Sequence, residues 1–176
     1  MPDLTGNAKG FPLMSPRVRI WSLALVLIVV SACVPSRVDM LLSLLPTKVG
    51  ERQFDAVTVI DDSFVSGHAL DDILSAIGKS RSDAAAVFRG PRDGSISVGA
   101  VTVSGIDAQT LLDAVVNHWE AAAVEDRSLA TIGGKEVWRL ITRPSGEIAV
   151  YAKLGVVYVV LSVEANVLED VVRAMP

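Results

Sequence analysis

The sequence has very few of the residues on which covalent cross-links and metal sites depend. Its 176 residues include one cysteine, Cys33, and two histidines. A single cysteine cannot close a disulfide within the chain, and it cannot supply the paired thiolates of a zinc site. We therefore expect the fold to be stabilised by a hydrophobic core, which a chain of this length can bury without cross-links.

Positive charge is also scarce. Sixteen lysines and arginines stand against twenty aspartates and glutamates, which gives a formal net charge of −4. Binding to nucleic acid, or electrostatic adhesion to anionic lipid, requires a basic surface. The charge balance argues against both, and we expect no nucleic-acid partner.

The common catalytic and cofactor-binding motifs are missing as well. The sequence contains no Gly-x-Ser-x-Gly elbow, no His-Glu-x-x-His motif, no phosphate-binding glycine loop and no dinucleotide fingerprint. We therefore expect a protein that is not an enzyme and that uses no cofactor.

The amino-terminal segment has the three-part plan of an export signal. The basic residues Arg17 and Arg19 precede an apolar run at residues 20–29, and the small residues Ser31 and Ala32 follow the run. A membrane-spanning helix needs about 20 apolar residues. The run is shorter than that, so we do not expect it to span the membrane as a stable helix.

The four residues Val30-Ser31-Ala32-Cys33 resemble a bacterial lipobox. In that family a diacylglyceryl group is attached to the cysteine thiol, and a peptidase then cuts before the cysteine. The resemblance implies that Cys33 becomes the lipidated first residue, which anchors the protein to the outer face of the cytoplasmic membrane. An ordinary signal peptidase could instead cut after Ala32 and release a secreted protein. Translation could also begin at Met14, with the same mature product.

These boundaries divide the chain into three parts. We expect a signal peptide at residues 1–32, a tether at residues 33–38 and a single domain at residues 39–176. At the start of the domain, residues 40–45 predict a brief helix or turn that Pro46 ends, and its leucines must pack on the domain or on the bilayer.

The domain alternates helical and strand-like segments. Helices are predicted at residues 68–77, at residues 108–122 and over the last ten residues, each with one apolar face. We predict an α+β fold, β-α-β-β-α-β-β-β-β-α, in which a twisted antiparallel sheet of about seven strands carries three helices on one face. The first six elements have the order of a ferredoxin-like unit. The predicted strands are residues 54–60, 84–89, 96–103, 128–132, 136–142, 147–153 and 156–163.

The best candidate for a chemical site is a group of four carboxylates and an imidazole, formed by Asp61, Asp62, His68, Asp71 and Asp72. Oxygen and nitrogen ligands this close in sequence could converge on calcium or another divalent ion, but the spacing fits no known calcium loop. In the structural interpretation, which we favour, two of the aspartates stabilise a helix N-terminus and the other two end a strand in water. A metal-dependent binder or enzyme remains the alternative.

Trp138 is a candidate for contact with a partner. Alternation along its strand places Trp138 on the face opposite Val137 and Ile141. If those two residues face the core, Trp138 is exposed on an open sheet face. Packing of Trp138 in the core is the interpretation that we favour.

The apolar content suggests what the domain does. Apolar residues make up 51% of the chain and aromatic residues only 5%, with a mean hydropathy of +0.46. The excess of small aliphatic side chains predicts either a tightly packed core or an apolar cavity for a ligand. With the lipobox, it favours a lipid-anchored binding or accessory module for an apolar ligand or a membrane-proximal partner. A purely structural envelope protein is the other alternative.

Lipidation predicts a mass that ordinary secretion does not produce. We expect the protein extracted from membranes to begin at Cys33 and to carry diacylglycerol and fatty acyl groups, whereas Cys33→Ala remains unprocessed or is released. Intact mass spectrometry measures both forms. An unmodified chain beginning at Cys33 would instead show ordinary secretion, and an uncleaved leader would contradict the lipobox.

Overall fold

The computed structural model describes residues 36–60, 68–121, 124–142 and 146–176. The lipobox and Cys33 lie outside these residues. None of the helices in the described ranges is long and apolar enough to cross a membrane. The helices are α1 (Arg37–Leu44), α2 (His68–Ala76), α3 (Ala108–Ala121) and α4 (Ala165–Ala174). The strands are β1 (Lys48–Val49), β2 (Arg52–Gln53), β3 (Ala56–Ile60), β4 (Ala84–Gly90), β5 (Ile96–Val103), β6 (Val124–Ile132), β7 (Lys135–Thr142), β8 (Gly146–Lys153) and β9 (Val156–Ser162).

Helix α1 begins inside the segment that we expect to be a tether. The Ser36 hydroxyl accepts a hydrogen bond from the backbone N–H of Asp39 at 3.1 Å and so caps the helix. Leu41 and Leu45 are buried at 0% and 4% exposure. The leucine-rich segment therefore packs on the domain, and Ser36–Pro176 form one compact unit.

The main sheet has seven strands in the order β3-β4-β5-β9-β8-β7-β6, and every neighbouring pair is antiparallel. This confirms the α+β class and the seven-stranded antiparallel sheet. The strands β6 to β9 pair in sequence order and form a meander. Strands β1 and β2 form a separate two-stranded sheet.

The predicted element order is incomplete at its start. Helix α1 and the β1–β2 pair precede the first predicted strand, so the described residues contain four helices rather than three. The ferredoxin-like analogy is also wrong. In that unit another strand separates the two strands that a helix joins, whereas β3 and β4, which α2 joins, pair directly with each other.

The helices cover both faces of the sheet, so the prediction of three helices on one face is wrong. Helices α1 and α4 lie on one face, here called the α1/α4 face, and helices α2 and α3 lie on the other, the α2/α3 face. The sequence carried a signal for this arrangement. Strands buried on both sides are continuously apolar rather than alternating, and residues 156–161 of β9 form such a run.

Each face has its own hydrophobic cluster. On the α1/α4 face, Leu168 of α4 packs with Tyr158 of β9, and both are fully buried. On the α2/α3 face, Leu111 of α3 packs in the cluster that contains Val157 of β9. Consecutive residues of β9 thus belong to opposite clusters, as the alternation of side chains along a strand requires.

Two tyrosines fill the centre of the α1/α4 face. The rings of Tyr151 and Tyr158 are stacked, with centroids 5.0 Å apart. The Tyr151 hydroxyl donates to the carbonyl oxygen of Pro176 at 3.3 Å. The Tyr158 hydroxyl is buried and has no hydrogen-bond partner in the described part of the chain. Burial raises the pKa of both phenols.

We expect Tyr158→Phe to raise the free energy of unfolding by about 1–2 kcal/mol, because it removes a buried hydroxyl that lacks a hydrogen bond. Tyr151→Phe is the matched control and should lower stability slightly, since its hydroxyl has an acceptor. Urea unfolding followed by circular dichroism measures both. A loss of stability in Tyr158→Phe would show that the hydroxyl has a partner.

Candidate functional site

Local signals fix the two helices of the α2/α3 face. Helix α2 is followed by Gly78, whose φ of +67° is the left-handed conformation that commonly ends helices. Before α3, a carboxylate oxygen of Asp107 accepts from the backbone N–H groups of Gln109 and Thr110, at 3.0 and 2.9 Å. Hydrogen bonds from Thr110 hold the pKa of Asp107 below its usual value.

Helices α2 and α3 enclose a cavity of about 230 Å³ against the sheet. All of its described lining residues are apolar. The sheet contributes small side chains such as Ala86 and Val101 to its floor. Its helical walls include Leu70, Ile73, Leu111, Val115 and Trp119. Phe88 of β4 lines one side of the floor.

One glycine allows the aromatic wall of this cavity to form. Gly99 of β5 pairs directly with Phe88 of β4. A Cβ atom at Gly99 would clash with the Phe88 ring. The ring therefore lies across β5 over the space that a side chain would fill, and it closes one side of the cavity.

The cavity is suited to a small hydrocarbon group. Ligand pockets for drug-sized molecules measure about 300–1,000 Å³ and include a few polar groups that orient the ligand. This cavity is smaller, and its described lining offers no charged side chain. It could therefore hold one apolar chain by the hydrophobic effect, and its described residues include no group for acid–base or nucleophilic chemistry.

The structure gives no support to the predicted metal cluster. Asp61 and Asp62 lie outside the described residues, and the side chain of His68 is not described. Asp71 forms an ion pair with Arg81, which donates from Nη2 to Oδ2 at 2.7 Å and from Nε to the other carboxylate oxygen. Asp72 is exposed. Among the described residues, no three His, Cys, Asp or Glu side chains are grouped for a metal ion.

Trp138 lies at the margin of the α2/α3 face. Alternation allowed an exposed Trp138 on an open face, but helix α3 covers that face, and Trp138 is half-buried and packs against the hydrophobic cluster there. The guanidinium of Arg127 lies 3.9 Å from the Trp138 ring centroid. A second, more polar cleft of about 460 Å³ is lined by Trp138, Leu129 and Lys153. Contact between Trp138 and a partner remains a prediction.

Two buried charged residues were not anticipated. Lys135 is 9% exposed, and its ammonium donates to the carbonyl oxygen of Val172 in α4 at 2.9 Å. Burial lowers the pKa of Lys135. Glu147 is also buried and pairs with Arg139, which lies 3.5 Å from Glu169 in α4. Both residues attach α4 to the sheet. Lys135 directly precedes the strand predicted at residues 136–142, and Glu147 begins the strand predicted at residues 147–153, where polar residues ordinarily face water.

We expect a millimolar titration of calcium or zinc to leave the melting temperature unchanged, because Arg81 already occupies both carboxylate oxygens of Asp71. Differential scanning fluorimetry measures this. A saturable increase that Asp61→Asn abolishes, and that Asp113→Asn on α3 does not, would instead establish the metal site.

We compared the chain with protein-family models, with curated proteins and with solved structures, and none of the three comparisons found a match. Any function proposed for this protein therefore depends on its own residues and their geometry.

Proposed function

We propose that the protein is a lipid-anchored, non-enzymatic binding module that holds a single apolar chain, such as part of a fatty acyl group, in the cavity of the α2/α3 face. The observation that carries this proposal is the wholly apolar described lining of that cavity.

The exposure of the lining residues indicates how a chain would enter. Ile73 and Val115 are buried, at 6% and 4% exposure, and form the deep part of the cavity. Leu70, Trp119 and Ile60 are only partly buried, so we place the entrance of the cavity between them. A flexible chain could enter end first, without separation of the two helices from the sheet.

The size of the cavity predicts weak, reversible binding. Apolar burial contributes about 25 cal/mol per Å², and immobilising a ligand costs at least several kcal/mol. A cavity of about 230 Å³ can shield only a short stretch of chain. We therefore expect micromolar or weaker affinity, which suits transient capture better than permanent storage.

The proposed anchor would keep the domain near a membrane, where acyl chains are abundant. Lipidated Cys33 would hold the domain at a membrane surface. The first described residue, Ser36, caps α1, which packs on the face of the sheet opposite the cavity. The chain therefore enters the domain on the side away from the cavity.

Ala69→Trp tests the cavity directly. Ala69 lines the cavity, so an indole at this position should fill it and prevent binding. Ala76→Trp is the matched control, because Ala76 lies on the same helix but is exposed. We expect decanoate to raise the melting temperature of the wild type and of Ala76→Trp, and not that of Ala69→Trp.

The measurement should use residues 36–176, which contain both hydrophobic clusters, so that no detergent competes for the cavity. Equal stabilisation of Ala69→Trp by decanoate would place the bound chain elsewhere. No stabilisation of the wild type up to the solubility limit of decanoate would refute the proposal.

A further inference from the structure

The lining of the cavity on the α2/α3 face changes from half-buried to buried along helix α3. Trp119, Val115 and Leu111 lie at intervals of four residues on one stripe of α3, and all three line the cavity. Trp119 is half-buried, whereas Val115 and Leu111 are buried. The rise of a helix from the first to the last of these positions is about 12 Å. The cavity is therefore a channel along α3 that becomes deeper toward the start of the helix.

The sheet shows where the channel ends. Only residues 104–107 separate β5 from α3, so the start of α3 lies near the end of β5. Val101 of β5 lines the cavity, but Val103, the next residue of β5 on the same face, does not line it and is buried in the same hydrophobic cluster. At the other end Phe88, whose ring lies over Gly99, is half-buried. The channel therefore closes in packed core between Val101 and Val103.

Helix α2 has the same gradient of burial. Ala69 and Leu70, in its first turn, line the cavity and are half-buried. Ile73, one turn later, lines the cavity and is buried. Leu74 is buried in the same cluster and does not line it. The two helices and the sheet thus agree on a mouth beside Leu70 and on a closed end in the core.

We propose that the cavity accepts an unbranched apolar chain tail first, and that Leu111, at the closed end, sets the longest chain that the cavity can hold. This inference rests on the proposed function, because it concerns the same cavity. The polar head of the ligand remains in water beside Trp119. An indole suits this boundary, since it combines a large apolar surface with an N–H group that can face water. The ligand class is therefore an amphiphile with one polar end.

The closed end has no means of accepting a second polar end. Its described lining residues, Ile73, Val101 and Leu111, have apolar side chains. A carboxylate that is buried without a hydrogen-bond partner loses much more free energy than a short apolar chain gains on burial. Decanedioate has the same number of carbon atoms as decanoate but carries a carboxylate at both ends. We therefore expect decanoate to bind and decanedioate not to bind.

A closed channel also predicts a limit on chain length. Burial of one CH₂ group tightens binding about fourfold. We expect the dissociation constant of straight-chain carboxylates to fall about fourfold with each added CH₂ group until the tail reaches Leu111, and then to stay constant. Isothermal titration calorimetry of residues 36–176 with a series from hexanoate to tetradecanoate, below the micellar concentrations, measures this limit.

Two alanine variants of α3 test the role of Leu111. Leu111→Ala removes the proposed stop, so the limit should move to longer chains. Leu112→Ala is the matched control, because Leu112 is the next residue of the helix and is also buried, but does not line the cavity. It should keep the limit of the wild type. Both substitutions lower stability, so Leu111→Val serves as a milder variant whose limit should move in the same direction by less.

The results separate this proposal from the cavity proposal. If no carboxylate of the series binds to the wild type, the cavity proposal fails. If the chains bind but the affinity rises through the whole series, or if decanedioate binds as tightly as decanoate, the cavity proposal stands and the closed end is wrong. An unchanged limit in both Leu111 variants, or an equal shift in Leu112→Ala, would overturn the role of Leu111.

Discussion

Burial of the central strands on both faces is the constraint on which the rest of this structure depends. In β9, Val157 lies in one hydrophobic cluster and Tyr158 in the other, and both side chains are fully buried. A sheet with two apolar faces needs helices on both sides. The four described helices therefore divide into the α1–α4 pair and the α2–α3 pair.

The arrangement of the helices in two pairs also leaves the cavity on the α2/α3 face and the exposed outer strands of the sheet. On the α2/α3 face the sheet presents small side chains such as Ala86, and Phe88 lies across Gly99, so helices α2 and α3 leave a space that they do not fill. The helices cover the central strands best. The outer strands β3 and β6 are consequently more exposed, and Trp138 at the margin is half-buried.

Several charged side chains of the described residues attach helices or their flanking turns to their neighbours. Arg81, in the short 3₁₀ turn after α2, binds Asp71, and Lys135 binds a carbonyl oxygen of α4. Arg139 lies between Glu147 of the sheet and Glu169 of α4. These contacts fix the positions of elements around the core. None of them brings together the groups of a catalytic site, which leaves the apolar cavity as the feature that best supports a function.

The sequence by itself determined most of the helices and strands of the main sheet, because these depend on contacts within a few residues, although it missed the β1–β2 pair and the first residues of β6. Residues 96–103 form the predicted strand, and the turn at Leu154-Gly155 has the positive φ angles that a tight hairpin requires. Only the tertiary structure decided which face each helix covers, where the cavity lies, and that Arg81 holds Asp71. Those outcomes depend on packing between segments far apart in the chain, which local periodicity does not record. The continuous apolar run of residues 156–161 was the one local sign that the sheet would be covered on both sides.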